Sequence, residues 1–257
     1  MIPAIIIGRK GSQGFPGKNT APLLGRPLAL YPLLAAAHSL HVSCIYLSTD
    51  DPGLASLGRE HNATIIERPG WLATNQALGE DAYVHAYGEI KQECERQGQT
   101  IELVVLLMCN AATILAGQID DGIMTLRGNP EYDSAVTVSP YNMWSPLRAR
   151  RVGQDGLLQP FVPFETFGDP ATLNCDRDSQ GDVWFADMGV SVVRPECLDN
   201  LHQGLLPQKW MGRKIFPIKQ WGGLDIDYPW QAPQVEYWLR EHGFSETGTP
   251  YDGGKRA

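Results

Sequence analysis

The stretch Ala4-Ile-Ile-Ile-Gly-Arg-Lys-Gly-Ser-Gln-Gly-Phe-Pro-Gly-Lys-Asn19 restricts the fold of this chain most. An apolar run ends at Gly8; glycines then recur at 11, 14 and 17, with basic side chains at Arg9, Lys10 and Lys18. A short apolar run bounded by glycine reads as a buried strand. A glycine-rich loop after such a strand turns backbone N–H groups toward phosphate oxygens, and Arg9 and Lys18 add fixed positive charge there. The expected ligand is a nucleoside triphosphate. The loop is not a Walker A motif, because Ser12 stands where that motif needs glycine and Asn19 follows the lysine. It is not a dinucleotide fingerprint either, since no G-x-G-x-x-G can be laid on it.

Composition narrows the possibilities. The net charge of the 257-residue chain is −8 and there is no basic stripe, which argues against general nucleic-acid binding. Outside the first loop, Arg148, Arg150 and Arg151 form the tight basic cluster. Apolar residues make up 43% and charged residues 19%, as in a globular protein with a large core. The five cysteines, at 44, 94, 109, 175 and 197, are scattered without metal-like spacing, which predicts reduced thiols and a cytoplasmic protein. Met1-Ile-Pro lacks the basic start of a signal peptide. No apolar run approaches the ~20 residues of a membrane span.

Elements alternate along the first half. Strands are expected at Ala4–Ile7, Ser43–Thr49, Asn62–Glu67, Glu102–Cys109 and Ser134–Ser139. Helices are expected between them, from about Tyr31 to Leu40, from Pro52 to His61, from Glu80 to Gln97 and from Gln118 to Arg127. This order predicts an α/β fold with an open, mostly parallel, Rossmann-like sheet. Ligands of such sheets bind outside the carboxyl ends of the strands, where the glycine loop, Thr49–Asp51, Arg68 and Met108–Asn110 all fall. From Pro140 to Ser179 the pattern gives way to prolines and aromatics. Residues 140–179 are read as a protruding arm that packs on a second subunit, and 1–139 with 180–245 as the core. Strand character returns at Val183–Val193 and Lys214–Ile218, and a last helix spans Trp230–Glu241. Residues 246–257 are expected to be a flexible tail.

Several of these residues together resemble the acylneuraminate cytidylyltransferases, which make CMP-activated nonulosonic acids. That family opens on an apolar strand followed by Pro-Ala-Arg-Gly-Gly-Ser-Lys-Gly-x-Pro-x-Lys-Asn. Arg9, Gly11, Ser12, Gly14, Pro16, Lys18 and Asn19 fit that motif. Ser48-Thr-Asp-Asp51, Glu67-Arg-Pro69, Leu72-Ala-Thr74 and Asp225-Ile-Asp227 follow in the family's order, so the resemblance runs from about residue 4 to 242. It implies a nucleotidyltransferase-type fold with a dimerising arm, CTP and an acidic sugar as substrates, and Mg²⁺ as cofactor. Arg9 and Lys18 would clamp the triphosphate and serve catalysis. Ile7, Gly8, Gly11, Ser12, Asn19, Arg68, Ala77 and Gly79 would complete the nucleotide site. Asp225 and Asp227 would hold the metal; flanking Ile226 in an extended segment, they point to one face. The alternative for this pair is capping of the last helix, and Asp51 is read as the cap of the helix at Pro52. The six histidines show no ligand spacing, and Cys109 reads as a small core residue.

The chain also departs from the family. Gln13 replaces a lysine, and Gly79 replaces a serine near the base and ribose. The family's acceptor strand ends Leu-Leu-Gln-Pro-Thr-Ser-Pro-Leu-Arg, and here Leu106-Leu-Met-Cys-Asn-Ala-Ala-Thr-Ile114 stands in its place. Met108 and Asn110 are the acceptor-side candidates, with hydrogen-bonding partners for a polyhydroxy acid reduced. Met188 stands where the family has Asn before the glycine of its Asn-Gly-Ala strand. Coupling of CTP to a nonulosonic acid is therefore the first expectation. CTP-dependent activation of another ulosonic acid or a phosphonate is the second. Nucleotide binding without turnover is the third.

Overall fold

The computed structural model describes residues 1–11, 14–74, 76–176 and 181–253. In chain order it contains β1 (Pro3–Ile7), β2 (Pro22–Leu23), β3 (Arg26–Pro27), α1 (Leu30–His38), β4 (Cys44–Thr49), α2 (Pro52–Glu60), β5 (Thr64–Glu67), α3 (Gly79–Arg96), β6 (Val104–Met108), α4 (Ala116–Gly128) and β7 (Ser134–Pro140). There follow β8 (Arg150–Val152), β9 (Leu158–Pro160), β10 (Trp184–Val193), α5 (Pro195–Asp199), β11 (Ile215–Lys219) and α6 (Ala232–Glu241). The main sheet has the order β11-β7-β10-β6-β1-β4-β5. Its pairings are parallel except those of β10, which runs antiparallel to both β6 and β7.

Both faces of the sheet are covered, so its central strands are apolar without alternation. Ala4 and Ile6 of β1 enter one core cluster and Ile5 and Ile7 the other. Val105 and Leu107 of β6 pack with the first pair, and Val104 and Leu106 with the second. After β1 the chain builds outward through β4 and β5, then returns to place β6 on the other side of β1. That reversal puts the strand-order switch between β1 and β6, where a crevice opens at the carboxyl ends. Local chemistry fixes the helices beside it. Pro52 opens α2 while the Asp51 carboxylate accepts from the backbone of Gly53 at 2.8 Å, the expected cap.

Residues between β7 and β10 leave the sheet and return. Tyr141 N donates to Val183 O at 2.9 Å, closing the neck of this excursion. Within it β8 and β9 form a small antiparallel hairpin. Arg150 lies over the Phe164 ring at 5.1 Å, and Arg148 donates to the Cys175 carbonyl, so two members of the basic cluster hold the arm together.

The tail departs from expectation as far as it is described. Tyr251 stacks on His38 at 4.2 Å, and its hydroxyl accepts from Ala116 N at 3.1 Å. Arg26 Nη2 donates to Gly248 O at 2.9 Å. Polar, glycine-rich composition concealed an aromatic anchor and a half-buried arginine that dock residues 245–253. All five cysteines are free. No helix among the described residues is long and apolar enough to cross a membrane.

Candidate active site

The crevice at the carboxyl ends of β1 and β6 is a cavity of about 180 Å³. It brings together Ile7, Gly8, Arg9, Lys18, Asn19, Arg68, Ala77, Gly79, Met108 and Asn110, ten residues named from sequence, along with Leu72 and Leu78. Gly11 belongs to the same loop, with a left-handed φ of 86°. Ser12 and Gln13 lie outside the described residues.

The loop is tied at both ends. Gly8 N donates to Ser48 O at 3.2 Å, continuing the β1–β4 ladder by one bond. Lys10 N donates to the Asp50 carboxylate at 2.8 Å. The Asn19 amide reaches back to Arg9 O at 3.2 Å, joining the end of the loop to its start. Gly14 packs so closely on the far wall that a Cβ there would lie 2.7 Å from Asp227 O. No other residue type permits that approach without a shift.

Arg68 follows β5 and is 8% exposed. Its Nη2 donates to Ser48 O at 3.0 Å, the carbonyl that also holds Gly8. Its Nε is buried without a hydrogen-bond partner. Burial pulls the Arg68 pKa below the ordinary arginine value, with the negative charge of Asp50 among the groups opposing it. An arginine kept this far from water with a donor unused is suited to a ligand oxygen. Beside it, α3 begins at Gly79 with no side chain capping its first N–H groups. Those amides are available as donors at the crevice.

Across the crevice, Lys18 Nζ is paired with the Asp227 carboxylate. The lysine side chain is 13% exposed and the aspartate 56%. Asp225 lies deeper. Asn110 Nδ2 donates to its Oδ2 at 3.0 Å and to Ile226 O at 3.1 Å, and Ile226 N donates to Asn110 O at 2.9 Å. The Ile226 side chain is buried in a third apolar cluster with Trp238 and Phe244, which turns its two acidic neighbours away from the core. Burial raises the Asp225 pKa, and the Asp227 charge raises it further. Helix capping does not explain the pair. Asp227 N and Tyr228 N instead donate to Gln231 Oε1, at 2.7 and 2.8 Å.

The donor set suits Mg²⁺. Among the described residues no three His, Cys, Asp or Glu side chains form a metal nest. A nucleotide-dependent Mg²⁺ site needs only one or two carboxylates, with phosphates and water completing the shell. The like-charge strain on Asp225 is what a cation between the two would relieve.

Two acceptor-side readings change with the structure in hand. Ala111, Ala112, Thr113 and Ile114 are fully buried, so these positions face the core and not the crevice. Asn110 does line the crevice, but its amide is committed to Asp225 and Ile226. Cys109 is buried against the core, and burial pushes its thiol up to about 12, which suits a packing residue. Sequence reasoning did not find Gln231, or the buried Asp187 beneath the Asp225 segment. The only available signal for Asp187 was a lone acid two residues before a glycine in a mostly apolar strand.

Comparison with known proteins gives this arrangement a context. Residues 3–141, more than half of the chain, match the family model described as cytidylyltransferase. The N-acylneuraminate cytidylyltransferase of Escherichia coli O18:K1:H7 is 33% identical over 85 residues, 33% of this chain and 20% of that protein. The CMP-N,N'-diacetyllegionaminic acid synthase of Legionella pneumophila is 38% identical over 64 residues, 25% of this chain and 28% of that protein. The matched region thus spans between a fifth and a third of those relatives' length. Among solved structures, a CMP:2-keto-3-deoxy-manno-octonic acid synthetase complexed with CTP superposes with a TM-score of 0.64 at 14% identity, covering 93% of this chain and 98% of the other. A 4-diphosphocytidyl-2C-methyl-D-erythritol synthase from Anaerococcus prevotii gives 0.60 at 11% identity, covering 93% and 96%. At such identities the structural likeness establishes the fold.

Proposed function

The chain belongs to the cytidylyltransferase family, and on that footing we propose that it couples CTP to an acidic sugar of the nonulosonic type, giving a CMP-sugar and pyrophosphate. The observation that carries this reading is the single crevice holding Arg9, Lys18, Asn19 and Arg68 beside the Asp225–Asp227 pair. Relatives named for CMP-nonulosonate synthesis support the acceptor class.

The chemistry follows from the charges. An acceptor hydroxyl oxygen bonds to the α-phosphorus of CTP while the bond from that phosphorus to the β-bridging oxygen breaks. Pyrophosphate leaves with that oxygen, and the hydroxyl proton passes to solvent. Lys18 and Arg9 hold the triphosphate in line and offset the charge that grows on it. Arg68 offers its buried donor to an oxygen of the nucleotide. Uncapped amides at Gly79 and the apolar side chains of Ile7 and Leu78 receive the base and ribose end. Asp225 and Asp227 would hold Mg²⁺, which would supply positive charge to the phosphates when bound. Lys18 and Asp227 neutralise each other beside the crevice.

The protein works as a homodimer in the cytoplasm under this reading. The arm exposes Trp144, Leu157, Leu158 and Phe161 between 53% and 72%, an apolar surface suited to a second copy. Light scattering at micromolar concentration should give twice the chain mass; a monomer would overturn the dimerising role of the arm.

A pyrophosphate-release screen with CTP, Mg²⁺ and a panel of nine-carbon, eight-carbon and phosphonate acids tests the activity. Release with a nine-carbon acid is the expected result. Release only with a shorter acid or a phosphonate replaces the acceptor. CTP binding without release from any acid replaces turnover with binding alone.

A further inference from the structure

We infer that Asp187, which lies outside the crevice, positions the Asp225–Asp227 segment and thereby sets how tightly the nucleotide's metal ion is held. This rests on the assignment of that metal to Asp225 and Asp227.

Asp187 sits where β10 breaks its register with β7, between Ala186 and Ser191. Met188 takes a left-handed φ of 63° there, which makes the bulge tight. The Asp187 carboxylate turns inward and is 4% exposed. Burying a carboxylate is costly unless donors surround it. Ser139 Oγ donates to its Oδ2 at 2.7 Å, Gln220 Nε2 donates to the same oxygen at 2.8 Å, and Gly189 N donates to Oδ1 at 3.2 Å.

These partners lead to the metal segment. Ser139 Oγ, oriented by donating to Asp187, accepts from Gly223 N at 2.9 Å. Gln220 begins the turn into the segment, and its Nε2 also reaches Thr113 O at 3.3 Å. The Thr113 hydroxyl accepts from Leu224 N at 3.0 Å and donates to Leu224 O at 3.2 Å. Tyr141 Oη donates to Gly223 O at 2.8 Å. Every backbone polar atom of Gly223 and Leu224 is therefore fixed immediately before Asp225. Gly223 lies so close that a Cβ there would come within 2.4 Å of Asp187 Oδ2. The carboxylate thus acts as the floor on which the segment rests.

An asparagine keeps this shape and breaks the pattern. Donors approach both oxygens of Asp187, and an amide NH₂ would meet one of them wherever it pointed. Partners behind metal ligands typically govern affinity by ~10–100-fold.

The test is the factor by which Mg²⁺ strengthens CTP binding, measured by calorimetry with and without the metal. In Asp187→Asn that factor should fall by ~10-fold or more, toward its value in Asp225→Ala. CTP binding without metal should change by less than about twofold, because Arg9 and Arg68 keep their supports. Ser139→Ala removes only the hydroxyl between Asp187 and Gly223 and should show a smaller loss of the same kind; it decides the question if Asp187→Asn does not fold. An unchanged factor in both variants, or an equal loss of metal-free CTP binding, overturns the positioning role. In that event a lost factor in Asp225→Ala leaves the metal assignment standing, whereas an unchanged factor in Asp225→Ala overturns both.

Discussion

The two walls of the crevice use their polar side chains in opposite ways. On the wall built from the glycine loop and β5, Arg9, Lys18, Asn19 and Arg68 line the opening, and Arg68 keeps a buried donor unused. On the wall built from residues 108–114, Asn110 and Thr113 turn away from ligand and bind the backbone of Leu224–Ile226. Ala111, Ala112 and Ile114 are sealed in the core. The first wall is equipped for a polyanion. The second is equipped to hold the Asp225–Asp227 segment, and it offers an acceptor little beyond Met108 and the outer face of Asn110. Under the proposed function, nucleotide binding falls to the first wall and support of the metal pair to the second.

Mutations can break or sharpen that contrast. The largest effects belong to the charged wall and its metal pair. Lys18→Ala or Asp225→Ala should lower kcat by ~100-fold or more, measured as pyrophosphate release under saturating CTP. Near wild-type turnover in both would dissolve the distinction between the walls. Arg68→Met should weaken CTP binding by ~10-fold or more, the worth of a hydrogen bond to a charged group, and leave the acceptor KM unchanged. A raised acceptor KM alone would move Arg68 to the other wall. Asn110→Ala strips partners from Asp225 and Ile226. It should cost about 1–3 kcal/mol of stability in urea unfolding and weaken the Mg²⁺ dependence of CTP binding. A change confined to the acceptor KM would return Asn110 to substrate recognition. Met108→Gln restores the family's residue and should alter acceptor kcat/KM by less than ~10-fold, the range of a single neutral contact, with no change in CTP affinity. The smallest effect is expected at Cys109. Its thiol, pushed up to about 12 by burial, should stay protonated and unlabelled by a thiol reagent at pH 8 in the folded protein, while exposed Cys175 reacts.

Much of this was legible in the sequence, for identifiable reasons. The strand and helix order follows from apolar runs and their punctuation, and β1 and β6 were visible because strands buried on both faces carry no polar residues. Lys18 stood out in its glycine-rich loop, and Arg68 and the Asp225–Asp227 pair through the resemblance to the acylneuraminate cytidylyltransferases. The commitment of Asn110 was hidden, because its partners lie more than a hundred residues away and the choice between ligand and backbone depends on tertiary distance. Asp187 was hidden for the same reason, since its donors come from β7 and from the segment after β11. The docking of residues 245–253 was misread, as local polarity outweighed Tyr251 and the reach of Arg26.

A crystal structure with CTP and Mg²⁺ bound tests the division of the crevice most directly. The expected result is a triphosphate within hydrogen-bond reach of Lys18 Nζ, with the Lys18–Asp227 pair opened, Mg²⁺ on Asp225 and Asp227, and the cytosine beside Ile7 and Gly79. A nucleotide seated away from Lys18, with the Lys18–Asp227 pair intact, would contradict it.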